Sequence, residues 1–222
     1  MFEETNSFTG VAVHAGCLYV VGGSDSDAIK DVQKYVPDTD AWETVAPLST
    51  SRCAPCAVAD ENHVFALGGL QENGEFLNTA EMYDPEEDRW EAIASLNTAR
   101  AFACCVAIEN KIIVVGGSTD TLGHNALSSC EIYDTRTGVW DQITSMHIPR
   151  FAAGLATVRG RVYVFGGGFA GESLKSVESY SVEENEWKME DDMPRAAAHI
   201  QCTVVNIPKD LLKASFQNEL RK

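Results

Sequence analysis

The chain is short of positive charge. Lys and Arg number 17 against 33 Asp and Glu, which leaves a net charge of −16. A phosphate backbone calls for clustered Lys and Arg, so nucleic acid is not an expected partner. No apolar run approaches the roughly 20 residues that span a bilayer, so a membrane is not expected either. The opening residues, Met1 to Asn6, show no basic stretch followed by an apolar one, and no secretory signal is expected. There is no Asn-x-Ser/Thr sequon, and the seven cysteines are odd in number and too sparse for a disulfide scaffold. Reduced, cytoplasmic surroundings are the expectation. The five histidines are scattered, with no His-x-His or His-Glu-x-x-His, and Cys53-x-x-Cys56 has no second pair at zinc spacing. No catalytic residue, metal or cofactor is assigned, and an enzyme is not the expected class.

What the chain does have is repetition. A Gly-Gly pair occurs at Gly22-Gly23, Gly68-Gly69, Gly116-Gly117 and Gly166-Gly167, at periods of 46 to 50 residues. Each is followed by a Tyr and, seven residues later, a Trp: Tyr35/Trp42, Tyr83/Trp90, Tyr133/Trp140 and Tyr180/Trp187. Arg52, Arg100 and Arg150 stand sixteen residues ahead of the last three pairs. Self-similarity at this period marks an array of one supersecondary unit whose copies share a core.

Residues 52–96 illustrate the unit. Small apolar residues at 53–59 precede a β-branched and aromatic run, His63 to Leu67, which ends in Gly68-Gly69. A polar loop, a segment at 79–83, an acidic turn and a segment at 90–94 follow. These are four short strands, here a, b, c and d, spaced as in an all-β array. Across the c–d turn, Tyr83 and Trp90 are expected to lie opposite each other on one face. Such a face needs a neighbouring sheet to cover it, and blades packed around an axis supply one. Strand a is rich in Ala, Gly and Cys, as suits the crowded axis. Cys53, Cys56, Cys104 and Cys105 are therefore expected as small buried hydrophobes.

Gly-Gly, Tyr, the seven-residue step to Trp and the preceding Arg resemble the kelch repeat over about residues 7–207. The resemblance implies an all-β, kelch-type β-propeller of four-stranded antiparallel blades. The repeats are expected at about 6–50, 51–98, 99–148 and 149–193, with a closing strand at 195–207 and a tail at 208–222. Asn6 takes the Arg place in the first copy. Four repeats plus one extra strand is an odd total, and an incomplete six-bladed propeller is expected, against a true four- or five-bladed ring.

The b–c loops differ in length while the strands do not, and variable loops on a fixed scaffold carry binding specificity. By resemblance to peptide-binding kelch domains, the pocket on the b–c/d–a face is expected to use Arg52, Arg100, Arg150 and Arg195. Asp31, Thr79, Ser129 and Ser176, which open strand c, are expected beside them. Arginine forks suit carboxylates, although a repeated Arg can equally bond neighbouring carbonyls. Phe76, His124, His147 and Phe169 are lesser candidates on the same rim. The acidic c–d turns read as a solvated face, with docking of a basic partner as the alternative. The implied function is a non-catalytic interaction module for a protein or peptide substrate. In BTB-kelch relatives such a module recognises substrates for a cullin-3 ubiquitin ligase, through domains absent from this chain. Actin binding is the alternative, and a copper radical oxidase a more distant one.

Overall fold

The computed structural model describes residues 7–200 and 202. Strand is the regular structure among them, in four four-stranded antiparallel sheets. The first blade is β1 (Gly10–His14), β2 (Cys17–Val21), β3 (Val32–Val36) and β4 (Ala41–Thr44). The second is β5 (Cys56–Ala59), β6 (Val64–Leu67), β7 (Ala80–Asp84) and β8 (Arg89–Ile93). The third is β9 (Cys104–Ile108), β10 (Lys111–Val115), β11 (Cys130–Asp134) and β12 (Val139–Ile143). The fourth is β13 (Gly154–Val158), β14 (Arg161–Phe165), β17 (Val177–Ser181) and β18 (Glu186–Glu190). A small hairpin, β15 (Gly168–Phe169) with β16 (Glu172–Ser173), sits in its b–c loop. Each sheet keeps chain order, so every connection is a local hairpin.

The register is the one the seven-residue step requires. Tyr35 faces Trp42, Tyr83 faces Trp90, Tyr133 faces Trp140 and Tyr180 faces Trp187. The last three pairs are covered by the preceding blade. Tyr83 and Trp90 pack with Val64 and Ala66 against Ala12, Tyr19, Val21 and Val32 of the first blade, and the next two interfaces repeat the pattern. Each buried Trp also donates its indole N–H backwards: Trp90 to Ala46 O at 2.9 Å, Trp140 to Ala94 O at 2.8 Å and Trp187 to Thr144 O at 2.8 Å. Trp42 is 42% exposed, because no blade precedes the first among the described residues.

The glycine pair is the hinge between blades. Gly68 has φ 63°, and a Cβ there would run into the backbone carbonyl of Arg100 in the next repeat. The following amide, Gly69 N, donates to that same carbonyl at 2.8 Å. A side chain at the first glycine would force the blades apart, so only glycine fits.

Strand a starts later than the small-residue pattern indicates. Cys53, Ala101 and Phe151 precede the strands and make isolated bridges to the b–c loops. Immediately after each comes a residue at positive φ: Ala54 (50°), Phe102 (56°) and Ala152 (49°), with Phe8 (55°) in the first copy. That turn redirects the chain from the rim to the axis. Cys53 thus lies off the strand, and Cys56 is buried while Cys104 and Cys105 are half-buried. Residues 195–200 and 202 form no strand. The remainder of the expected closing strand, the tail at 208–222 and Asn6 lie outside the described residues.

Candidate functional site

Arg52, Arg100 and Arg150 are 0%, 1% and 1% exposed. Each forms a clasp within its own blade. Arg52 donates to Gly68 O at 2.7 Å, Thr79 O at 2.8 Å, the Thr79 hydroxyl at 3.0 Å and Glu81 at 2.9 Å. Arg100 repeats this with Gly116 O, Ser129 O, the Ser129 hydroxyl and Glu131. Arg150 does so with Gly166 O, Ser176 O, the Ser176 hydroxyl and Glu178. Each glutamate also accepts from two amides of the d–a loop, one at each carboxylate oxygen: Ser49 and Thr50, Asn97 and Thr98, or His147 and Ile148. Of the two readings the sequence left open for these arginines, a fork for a guest carboxylate or a donor to neighbouring carbonyls, the contacts are those of the second, and they hold the frame. Their carboxylate is internal, and burial of an unpaired charge would be costly. Thr79, Ser129 and Ser176 serve the same clasps.

Two of these groups are shifted downward, for different reasons. Burial pushes the Arg52 guanidinium below its ordinary value, and Glu81 offsets only part of that. Burial pushes the Glu178 carboxyl up, but hydrogen bonds from the His147 amide, the His147 ring and Arg150 outweigh it and hold the group below its ordinary value. His147 is thus tied to the clasp through Glu178 at 2.8 Å.

Arg195 does not belong to this ring. Ala197 takes the clasp position: its N–H donates to Leu174 O and its carbonyl accepts from Gly167 N, as the Arg residues do in the other repeats. The spacing gives the reason. Arg52, Arg100 and Arg150 each follow a Trp by ten residues, whereas Arg195 follows Trp187 by eight. Arg195 is exposed. The glutamates were also legible but unread: Glu81, Glu131 and Glu178 each stand two residues after the small polar opener of strand c. Gln33 takes their place in the first copy, where Asn6 replaces Arg.

Above the clasps rises the rim. Each b–c loop folds back as a short hairpin, bridged at Ser24 with Ala28, Leu70 with Phe76, Ser118 with Ala126, and through β15–β16. Phe76 and Phe169 are half-buried in these hairpins, while Asp31 and His124 are exposed. Within the rim, sequence reading missed a central aromatic group. Phe8 and Phe102 meet edge to face with centroids 5.7 Å apart, Phe102 and Phe151 at 6.2 Å, and Phe151 and His199 at 6.0 Å. Backbone bonds link their turns in a staircase around the axis, from Ala54 N to Phe8 O, Phe102 N to Ala54 O, Ala152 N to Phe102 O and His199 N to Ala152 O. A cavity of about 280 Å³ lies here, lined by strand a and the rings of Phe8, Phe102 and His199. Two of its thiols are poor nucleophiles: burial pushes Cys104 up to about 12 and Cys105 well above its ordinary value.

Blades joined face to face, with unequal loops crowded at one end of the axis, define a β-propeller interaction scaffold. A family model described as the KLHDC2/KLHL20/DRC7 Kelch-repeats domain matches residues 11–208, and the chain belongs to the kelch-repeat family. A kelch propeller of this kind is a protein-interaction module, and the family is generally non-catalytic. No curated protein matches the chain.

Proposed function

We propose that the propeller holds a peptide or protein segment on the face built by its b–c and d–a loops, as the substrate-recognition part of a cullin-RING ubiquitin ligase. The observation that carries the reading is the division of labour between the clasps and the rim. The clasps consume the repeated polar residues in holding the frame. The residues left free on that face are those that differ from blade to blade, and they surround an axial cavity with an exposed aromatic, Phe8. Exposed aromatics beside a concavity are the usual anchors of interfaces. The c–d turns of the opposite face are partly consumed by their own folding: Asp84 accepts from the Glu86 and Glu87 amides, and Asp88 from Tyr83 and Ala46.

Site-specific photo-crosslinking tests this. A photoreactive residue at Asn73, on a b–c loop, is expected to capture partner protein in cells, and one at Glu86, on a c–d turn, is not. Captured proteins should accumulate when the proteasome is inhibited. Capture only from Glu86 sinks the face assignment. Capture of actin from Asn73 keeps the face and replaces the ligase role with a cytoskeletal one.

A further inference from the structure

The aromatic group at the axis is more than the fold requires. Phe8, Ala54, Phe102 and Ala152 occupy equivalent left-handed positions, at φ 49° to 56°. Ala54 and Ala152 show that a methyl group suffices for that turn. A left-handed conformation is unfavourable for a bulky residue. Yet two of these positions carry phenylalanine, and Phe8 is left 53% exposed. Phe151 joins them from beneath the loops, where Gly123 and Gly168 leave room for its ring.

The surroundings select what this platform can hold. On the b–c loops of the first two blades stand Asp25, Asp27, Asp31, Glu72 and Glu75, all exposed, against a single Lys30. On the fourth loop, Lys175 is paired with Asp192 at 2.9 Å. The three clasp arginines add no positive field, because each is buried against its own glutamate. An acidic guest would meet like charge. A cation seated over phenylalanine rings and flanked by carboxylates is attracted by both. Arginine fits best, since its plane stacks on aromatic faces and its fork matches carboxylates.

We propose that the axial mouth binds an arginine-bearing peptide segment, the guanidinium lying against Phe8 and Phe102 and the flanking chain running over the acidic loops of the first two blades. This rests on the peptide-binding reading above and names its partner chemistry.

The test is fluorescence anisotropy with short labelled Gly/Ser peptides that carry several Arg, several Lys or several Asp. The Arg peptide is expected to bind best, with affinity falling as salt is raised. Phe102→Ala should weaken it by roughly fivefold or more. The fold should survive, as the alanines at equivalent turns show, and circular dichroism checks this. Neutralising the loops with Asp25→Asn, Asp27→Asn, Glu72→Gln and Glu75→Gln should weaken binding further and flatten its salt dependence. The same number of charges removed from the c–d turns, with Glu86→Gln, Glu87→Gln, Glu183→Gln and Glu184→Gln, should change it little. Preference for the Asp peptide overturns the proposal, as does insensitivity to Phe102→Ala or equal sensitivity to the c–d set. If Asn73 still captures partners in cells in that event, the face assignment stands and only the arginine chemistry falls. If Asn73 captures nothing, both fall.

Discussion

Arg100 illustrates how a single side chain is committed by its setting. Its fork meets two carbonyls, a hydroxyl and Glu131 at 2.6 Å, and it is sealed from water. Removing one member of a buried ion pair leaves the other unpaired, which costs about 3–5 kcal/mol. Arg100→Ala should therefore lower urea stability by about that amount; a loss under about 1 kcal/mol would show that the clasp is not the frame. Glu178 gives a pH dependence with a definite sign. Its folded value is depressed below the ordinary 4.5, so it stabilises the fold above that value. The contribution is lost as pH falls through the depressed folded value. Melting temperature should drop on acidification below about 4.5, and Glu178→Gln should reduce the slope of that drop.

The c–d hairpins show how one turn position links a blade to its neighbour. Asp88 accepts from the Tyr83 hydroxyl at 2.7 Å and from Ala46 N of the preceding blade at 2.8 Å. Asn185 does the same with Tyr180 and Thr144 N. Both sit at positive φ, where Asp and Asn are tolerated. In the third blade Gly138 holds that position, and a Cβ there would meet only the Tyr133 hydroxyl, at 3.7 Å. Gly138→Asn should restore both bonds and reduce the freedom of the unfolded chain, raising stability by about 0.5–1 kcal/mol in thermal or urea unfolding. A loss instead would mean that the third turn differs in geometry from its neighbours.

Stability of the whole array comes from sheets covering one another. Trp140 is 8% exposed between the second and third blades, whereas Trp42 is 42% exposed. Trp140→Ala is expected to cost about 3–5 kcal/mol, the range for a large aromatic removed from a core. Trp42→Ala should cost clearly less, because less of its ring leaves water on folding. Equal losses in urea titrations would show that the first blade's outer face is covered in solution.

The sequence by itself determined the blade. Period, strand number and Tyr–Trp register are local or follow from the two-residue alternation of a strand, so spacing alone reveals them. It did not reveal what the arginines do, because a fork on a loop and a fork beneath one read alike. Only the tertiary structure placed Glu81, Glu131 and Glu178 within reach and so turned three candidate binding residues into frame. Its backbone bonds put Ala197, not Arg195, in the clasp position, a shift that the ten-residue step from Trp187 already carried in the sequence. The aromatic group of Phe8, Phe102, Phe151 and His199 comes from residues scattered over most of the chain. Rotation of one blade against the next brings them together at the axis, and that rotation is a property of packing between sheets rather than of any single repeat.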